Sequence, residues 1–352
     1  MKKITNRTQL LFRAASVAAG MALLILVFRH VDFPEMYLRL GDVGFYFIPI
    51  FAVYGIGCLF DTAAWRLILT EPGKTISFFK LYQIHLAGES MYRFIPAGVV
   101  VGEASKVYLL TKQSPYNGSE VVSSLVIRKL LMGLSQGLYI GVGVLAGVLL
   151  AQKFGQLELL LSAVSLGVIV VFVSLWIKLS RGELFGWLFR LLLRMPVLGA
   201  RVVNNRLFFE RTDSELKKFL AQKKRQSALA FALFFCGWMM EAVETYLIII
   251  VLGMKILPYQ IMIFEPVVSL VRSLAFFVPA GLGVMDSGYA SAFGSAGIVS
   301  VATASAAFII IKRSKELLWI LIGLFLLWFQ GGGIAERLLV QSVQPEIAAE
   351  IV

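Results

Sequence analysis

Charge, cysteine and histidine are all scarce in this sequence. Charged residues make up 15% of the 352 positions, and cysteine and histidine occur twice each. Cys58 and Cys236 both sit in apolar runs and read as small buried hydrophobes rather than as a disulfide. With His30 and His85 they make no zinc-ligand spacing. No Walker-type phosphate loop and no nucleophile elbow occurs, so ATP hydrolysis by this chain is not expected. No cofactor, no metal and no enzymatic activity are expected either. What is there instead is apolar. Hydrophobic residues reach 59%, with a mean hydropathy of +0.82, which defines an all-α integral membrane protein.

The net charge of +12 does not point to nucleic acid, because of where it falls. Residues 1–13 carry four basic residues and no acids, and 178–225 carries twelve basic residues against four acidic ones. The connections at 29–42, 152–156 and 253–258 are short and nearly neutral. By the positive-inside rule, both termini and 178–225 face the cytoplasm. Apolar stretches at 12–28, 43–70, 129–151, 157–177, 226–252 and 316–331, the last with room to start further upstream, predict about six full spans. The first is read as a retained helix, since Arg29-His30-Val31-Asp32 follows it instead of a small-residue cleavage site. Within 178–225, Phe185, Trp187, Leu188, Leu191, Leu192 and Leu198 alternate with Arg190, Arg194 and Arg201. That pattern predicts an interfacial helix in a basic linker, and a lipid-headgroup sensor is the sharper reading of it.

Two further stretches, 75–118 and 258–298, are too interrupted to be simple spans. The first contains Phe94-Ile95-Pro96-Ala97-Gly98 and, seven residues after the proline, Glu103. The second contains Phe277-Val278-Pro279-Ala280-Gly281-Leu282-Gly283 and, at the same spacing, Asp286. Proline and glycine break a helix, and at membrane depth the freed backbone groups must be satisfied inside protein or in a wet cavity. Each stretch is therefore read as a re-entrant hairpin. A shift of 183 residues also lays Asp61 on Glu244 and Glu89 on Arg272, and brings Arg128 to within two residues of Arg313. By the charge argument the two copies run in opposite directions, the signature of an inverted repeat with a binding site at the broken helices. The chain thus divides into 1–42 (N-terminal helix and outer loop), repeat 1 at 43–151, a connecting helix and basic segment at 152–225, repeat 2 at 226–335, and a tail at 336–352.

Ionisable side chains in the bilayer cost at least about 2.5 kcal/mol each, so each needs a partner or a polar cavity. Candidates are Asp61, Glu89, Arg93, Glu103, Lys106, Arg128, Lys129, Glu241, Glu244, Arg272, Asp286, Lys312, Arg313, Lys315 and Glu316. Each has a purely structural reading; Asp61 with Arg66, for example, or Glu241 and Glu244 with a base, could lock the fold. The functional reading makes Glu89, Arg93, Pro96, Gly98, Glu103, Lys106, Arg128, Arg272, Pro279, Gly281, Gly283, Asp286 and Arg313 a substrate path. Arginine forks and free backbone NH groups suit phosphate. Asp61, Glu241 and Glu244 are candidates for a proton or charge relay. The cargo expected of such a cavity is a membrane lipid whose acyl chains stay in the bilayer.

These residues resemble the lysylphosphatidylglycerol synthase transmembrane family, or flippase-like domain proteins, the membrane half of multiple-peptide-resistance-factor type proteins. Pro96, Gly102-Glu103, Lys106 and Arg128 match its first-half pattern, and Arg313 its later arginine. Its second-half motif fits 279–286 with three departures: Ala280 for glycine, Met285 for a basic residue and Asp286 for glutamate. The resemblance covers 10–335 and implies a flippase for a phospholipid or a modified, aminoacylated or lipid-linked lipid in a bacterial inner membrane. The soluble aminoacyl-transferring domain of the synthases is not seen before Val352, so synthesis of the lipid is not expected. The alternative is a non-transporting accessory or regulatory subunit of a lipid-modifying enzyme, docked through 178–225. A homo-oligomer is a further expected form of association.

Overall fold

The computed structural model describes residues 32–69, 72–94, 98–150, 181–194, 206–274, 283–295 and 301–331, with isolated positions between 167 and 178. Pro96, Pro279, Gly281, the stretch 12–28 and the tail 336–352 lie outside the described residues, as does most of 157–177. All regular structure among the described residues is helical. A short helix, α1 (Phe33–Gly41), starts where Asp32 accepts from the Glu35 NH at 3.1 Å. A single 3-10 turn then leads into α2 (Phe47–Ile68). The stretch expected to be broken is a pair of short helices, α3 (Phe78–Phe94) and α4 (Gly98–Gln113), packed on each other. A long helix, α5 (Gly118–Leu150), follows.

The basic segment holds α6 (Leu184–Leu193) and α7 (Arg206–Gln222). Asp213 of α7 joins them: its two carboxylate oxygens accept from the Phe185 and Gly186 NH groups at 2.8 and 2.7 Å, capping α6 from another helix. The second half repeats the first in order. It comprises α8 (Lys224–Val251), the short pair α9 (Pro258–Leu274) and α10 (Val284–Ser295), and the long α11 (Val301–Gly331).

Among the described residues, three stretches are long and apolar enough to cross a membrane by length and composition: Gly44–Ile68, Glu120–Gly147 and Lys224–Val251. The long helix expected at 129–151 begins a full three turns earlier, and the cause is local. Asn117 and Glu120 form a reciprocal capping box, each side chain accepting from the other's backbone NH at 3.0 Å. Lys74 holds the Glu120 carboxylate at 2.7 Å. In the same way α11 begins at Val301, well upstream of the stretch at 316–331.

Helix packing is paired across the halves. The two leading helices, α2 and α8, pack along each other, α3 packs on α11, and α9 packs on α5. Both crossings bring backbones close. A Cβ at Gly323 of α11 would lie 2.5 Å from the Leu86 carbonyl oxygen of α3, and one at Gly143 of α5 would lie 2.5 Å from the Pro266 ring of α9. Apolar cores fill between these crossings. One gathers Ile248, Ile261, Phe293 and Phe308 of the second half, and another gathers Trp65, Leu81, Met91 and Leu109 of the first.

Candidate functional site

Placing apolar faces outward and in contact leaves the charged residues facing inward, and they collect in two clusters. The first draws on four helices. From α2 comes Asp61, from α3 His85 and Glu89, from α4 Glu103 and Lys106, and from α5 Arg128 and Lys129. Lys106 is wholly buried and held by Glu89 at 2.8 Å and Glu103 at 3.2 Å. Lys129 meets Glu103 at 2.8 Å. Arg128 is also wholly buried, yet it is held loosely. Its guanidinium stands 3.7 Å from Asp61 and 3.8 Å from both Glu89 and Glu103. Its Nε and one terminal nitrogen have no hydrogen-bond partner among the described residues, and neither has one Glu103 oxygen. Gly98 starts α4 against α3 so closely that a Cβ there would lie 2.4 Å from the Tyr92 carbonyl oxygen.

The second cluster is tighter. Lys315 sits 2.7 Å from both oxygens of Glu244. Arg272 pairs with Glu241 and reaches Ser269 at 3.3 Å. Arg313 spans Asp286 at 2.8 and 2.9 Å and Glu316 at 2.8 Å. Asp286 in turn accepts from the NH of Gly283, whose φ of +75° suits glycine, at 2.8 Å. Glu265, 1% exposed, is satisfied by Tyr289 at 2.7 Å, Thr245 at 2.9 Å and Lys312 at 3.3 Å. Arg93 of α3 reaches across to Glu316 at 3.6 Å, tying the first helix pair to the second cluster.

Several expectations change at this point. Asp61 does not pair with Arg66, which is exposed; it faces Arg128 and His85 instead. Glu103 and Asp286 do not come together but sit in separate clusters, each beside the arginine of its own half. Glu241 and Glu244, read as one face seeking a base, take two different bases. His85 and Glu265 were absent from the expected path and stand at the centre of the clusters. A lone histidine or glutamate in an apolar run reads as core or as a cap, and only the packing exposes its neighbours. The cysteines are both free: Cys58 is buried and Cys236 partly so.

Beside the first cluster lies an open groove of about 1180 Å³ between α4 and α5, with Phe185 of α6 at its edge. Its walls are Ala104, Val107, Val122, Leu125, Val126 and Leu130, with Tyr108 beside them. The Glu103–Lys129 pair makes a polar end, and Thr111 and Lys112 also line the groove. Every residue lining it comes from the first half or α6, so it is not the hollow expected between the two broken stretches. No group of three or more metal-ligating side chains occurs among the described residues.

Long apolar helices enclosing paired charges define an integral membrane protein. The chain belongs to the lysylphosphatidylglycerol synthase TM region family, which it matches over residues 13–323. It is similar to a UPF0104 membrane protein of Pyrococcus horikoshii, at 20% identity over 291 residues, covering 80% of this chain and 86% of the relative. No solved structure matches it.

Proposed function

We propose that the protein is a lipid translocator of a bacterial inner membrane, with both termini cytoplasmic, moving a phospholipid or modified lipid between leaflets without catalytic chemistry. The observation that carries this reading is the groove between α4 and α5: an apolar trough that ends on charge. A lipid is the amphiphile that fits both parts. Its chains lie along Val107, Val122, Leu125 and Leu130 and its headgroup meets Glu103, Lys129 and, behind them, Lys106 and Arg128. The family is named for the membrane region of a lipid-modifying protein, which agrees with a lipid cargo.

The cross-half pairing supports an inverted repeat in which α3–α4 and α9–α10 are the two re-entrant hairpins. Exchanging the halves carries the α3–α11 contact onto α9–α5 and leaves α2–α8 on itself, in line with a two-fold relation, while the extensive packing of α5 on α8 has only a slight counterpart between α11 and α2. The acid following each break also keeps the same kind of partner, Glu103 with Arg128 and Asp286 with Arg313. In this reading Glu89, Arg93, Lys106 and Arg272 belong to the path, Asp61, Glu241 and Glu244 to its charge relay, and Pro96, Gly98, Pro279, Gly281 and Gly283 to the breaks. A docking role for α6–α7 toward a lipid-modifying enzyme is the second reading, favoured by exposed Leu191 and Leu193 beside Arg190 and Arg194.

Translocation of a fluorescent phospholipid in vesicles holding the purified protein tests the first reading. Arg128→Ala and Arg313→Ala are expected to slow it at least tenfold while leaving lipid in the membrane. Wild-type rates in both would remove these arginines from the mechanism, and no transport by the unaltered protein would favour the docking role.

A further inference from the structure

His85 is wholly buried on α3, and its two ring nitrogens face opposite kinds of group. Nδ1 lies 3.4 Å from a terminal nitrogen of Arg128, and Nε2 lies 3.9 Å from Asp61 and makes no hydrogen bond. An arginine nitrogen can only donate, so Nδ1 offers its lone pair and the single ring proton sits on Nε2, toward the acid. A second proton on Nδ1 would set two cations 3.4 Å apart in a buried site. While Arg128 stays where it is, His85 stays neutral.

Arg128 is the least firmly held cation of its cluster. It reaches its carboxylates only at 3.7 to 3.8 Å, whereas Lys106 and Lys129 meet theirs at 2.8 Å. Two of its nitrogens have no hydrogen-bond partner among the described residues. A headgroup phosphodiester at the polar end of the groove would offer this guanidinium the fork of oxygens it lacks.

We infer that His85 is a proton-binding site coupled to lipid occupancy: when an anionic headgroup draws Arg128 toward the groove, Nδ1 takes one proton from water. The inference rests on the proposed lipid site. The imidazolium then pairs with Asp61 of α2, which Arg128 has vacated, so the interior count of charge is kept as the headgroup anion enters. The other charged groups around the ring are Glu89 on its own helix, Lys106 of α4 and Lys129 of α5. Cys58 of α2 lies near Asp61, and Gly237 of α8 approaches the same carboxylate. None of these is displaced in the exchange. Release of lipid returns Arg128 and expels the proton, which would couple headgroup movement to a proton gradient.

The test is binding of short-chain phosphatidylglycerol to the purified protein by calorimetry, in buffers of differing ionisation enthalpy. Its phosphodiester keeps one fixed negative charge across the range, so any proton taken up belongs to the protein. One proton per lipid is expected, and affinity falls about tenfold per pH unit while the free protein holds His85 neutral and the loaded protein holds it charged. His85→Asn keeps an acceptor toward Arg128 but cannot be protonated; it is expected to bind with no pH slope. Binding by the unaltered protein without proton uptake overturns the inference and leaves the lipid site standing, as does an unchanged slope in H85N. No binding, or equal binding of glycerophosphoglycerol without chains, overturns the lipid site and the inference with it.

Discussion

Breaking the Glu244–Lys315 pair should destabilise the protein unequally, depending on which partner is removed. Both side chains are almost fully buried, at 3% and 5% exposure, and Lys315 Nζ lies 2.7 Å from each carboxylate oxygen. Removing one member of such a pair leaves a buried charge without compensation, at about 3–5 kcal/mol. The survivors here differ. Glu244 retains Lys312 at 3.8 Å, where at an effective dielectric of about 20 the attraction is roughly 4 kcal/mol against roughly 6 kcal/mol at 2.7 Å. Lys315 retains the face of the Tyr54 ring at 4.8 Å, worth about 1–2 kcal/mol, and a weaker attraction to Glu316, whose carboxylate is already engaged by Arg313 at 2.8 Å. Lys315→Met should therefore cost about 3 kcal/mol and Glu244→Met about 5 kcal/mol, the ends of that range. The double variant should recover to within about 1–2 kcal/mol of wild type, because an apolar pair of similar volume needs no compensation. Equilibrium unfolding in detergent measures all three. A larger cost for K315M than for E244M, or costs below about 1 kcal/mol for both, would mean that the pair is hydrated and the burial argument wrong.

Gly323→Ala forces a methyl to within 2.5 Å of the Leu86 carbonyl, a backbone atom that cannot step aside, and should lower stability in the same assay by about 1–3 kcal/mol. Asp213→Ala removes both acceptors at the start of α6, at about 1 kcal/mol; amide exchange there should speed several-fold while α8 is unchanged. Val122→Trp projects into the groove from a side chain already 43% exposed, so the fold should hold while co-purified lipid and translocation both drop several-fold. Arg93→Gln cuts the ion pair to Glu316 and should change translocation more than stability, since Glu316 keeps Arg313 at 2.8 Å.

The apolar runs at 43–70 and 226–252 could be read from the sequence as the helices α2 and α8, because an apolar run is a local signal. Partner choice could not. Asp61 and Arg66 look like neighbours in sequence, but five residues turn a helix by well over a third of a circle, so they face apart. The true partner, Arg128, is contributed by another helix, and its neighbour Lys129 points about 100° away toward the groove. The start of α5 is written in Asn117-Gly118-Ser119-Glu120, but by hydropathy the hairpin stretch ends at 118 and the span starts only at 129. Glu265, followed by Pro266, has the look of a helix start. It lies inside α9, where the ring of Pro266 packs against Gly143 rather than ending the helix.

Helices that touch at backbone distance cannot slide past one another without first separating. The contacts at Gly323 and Gly143 thus weld α3 to α11 and α5 to α9, and each welded pair takes one helix from either half of the sequence. Any rocking of this bundle must carry those composite blocks as rigid bodies.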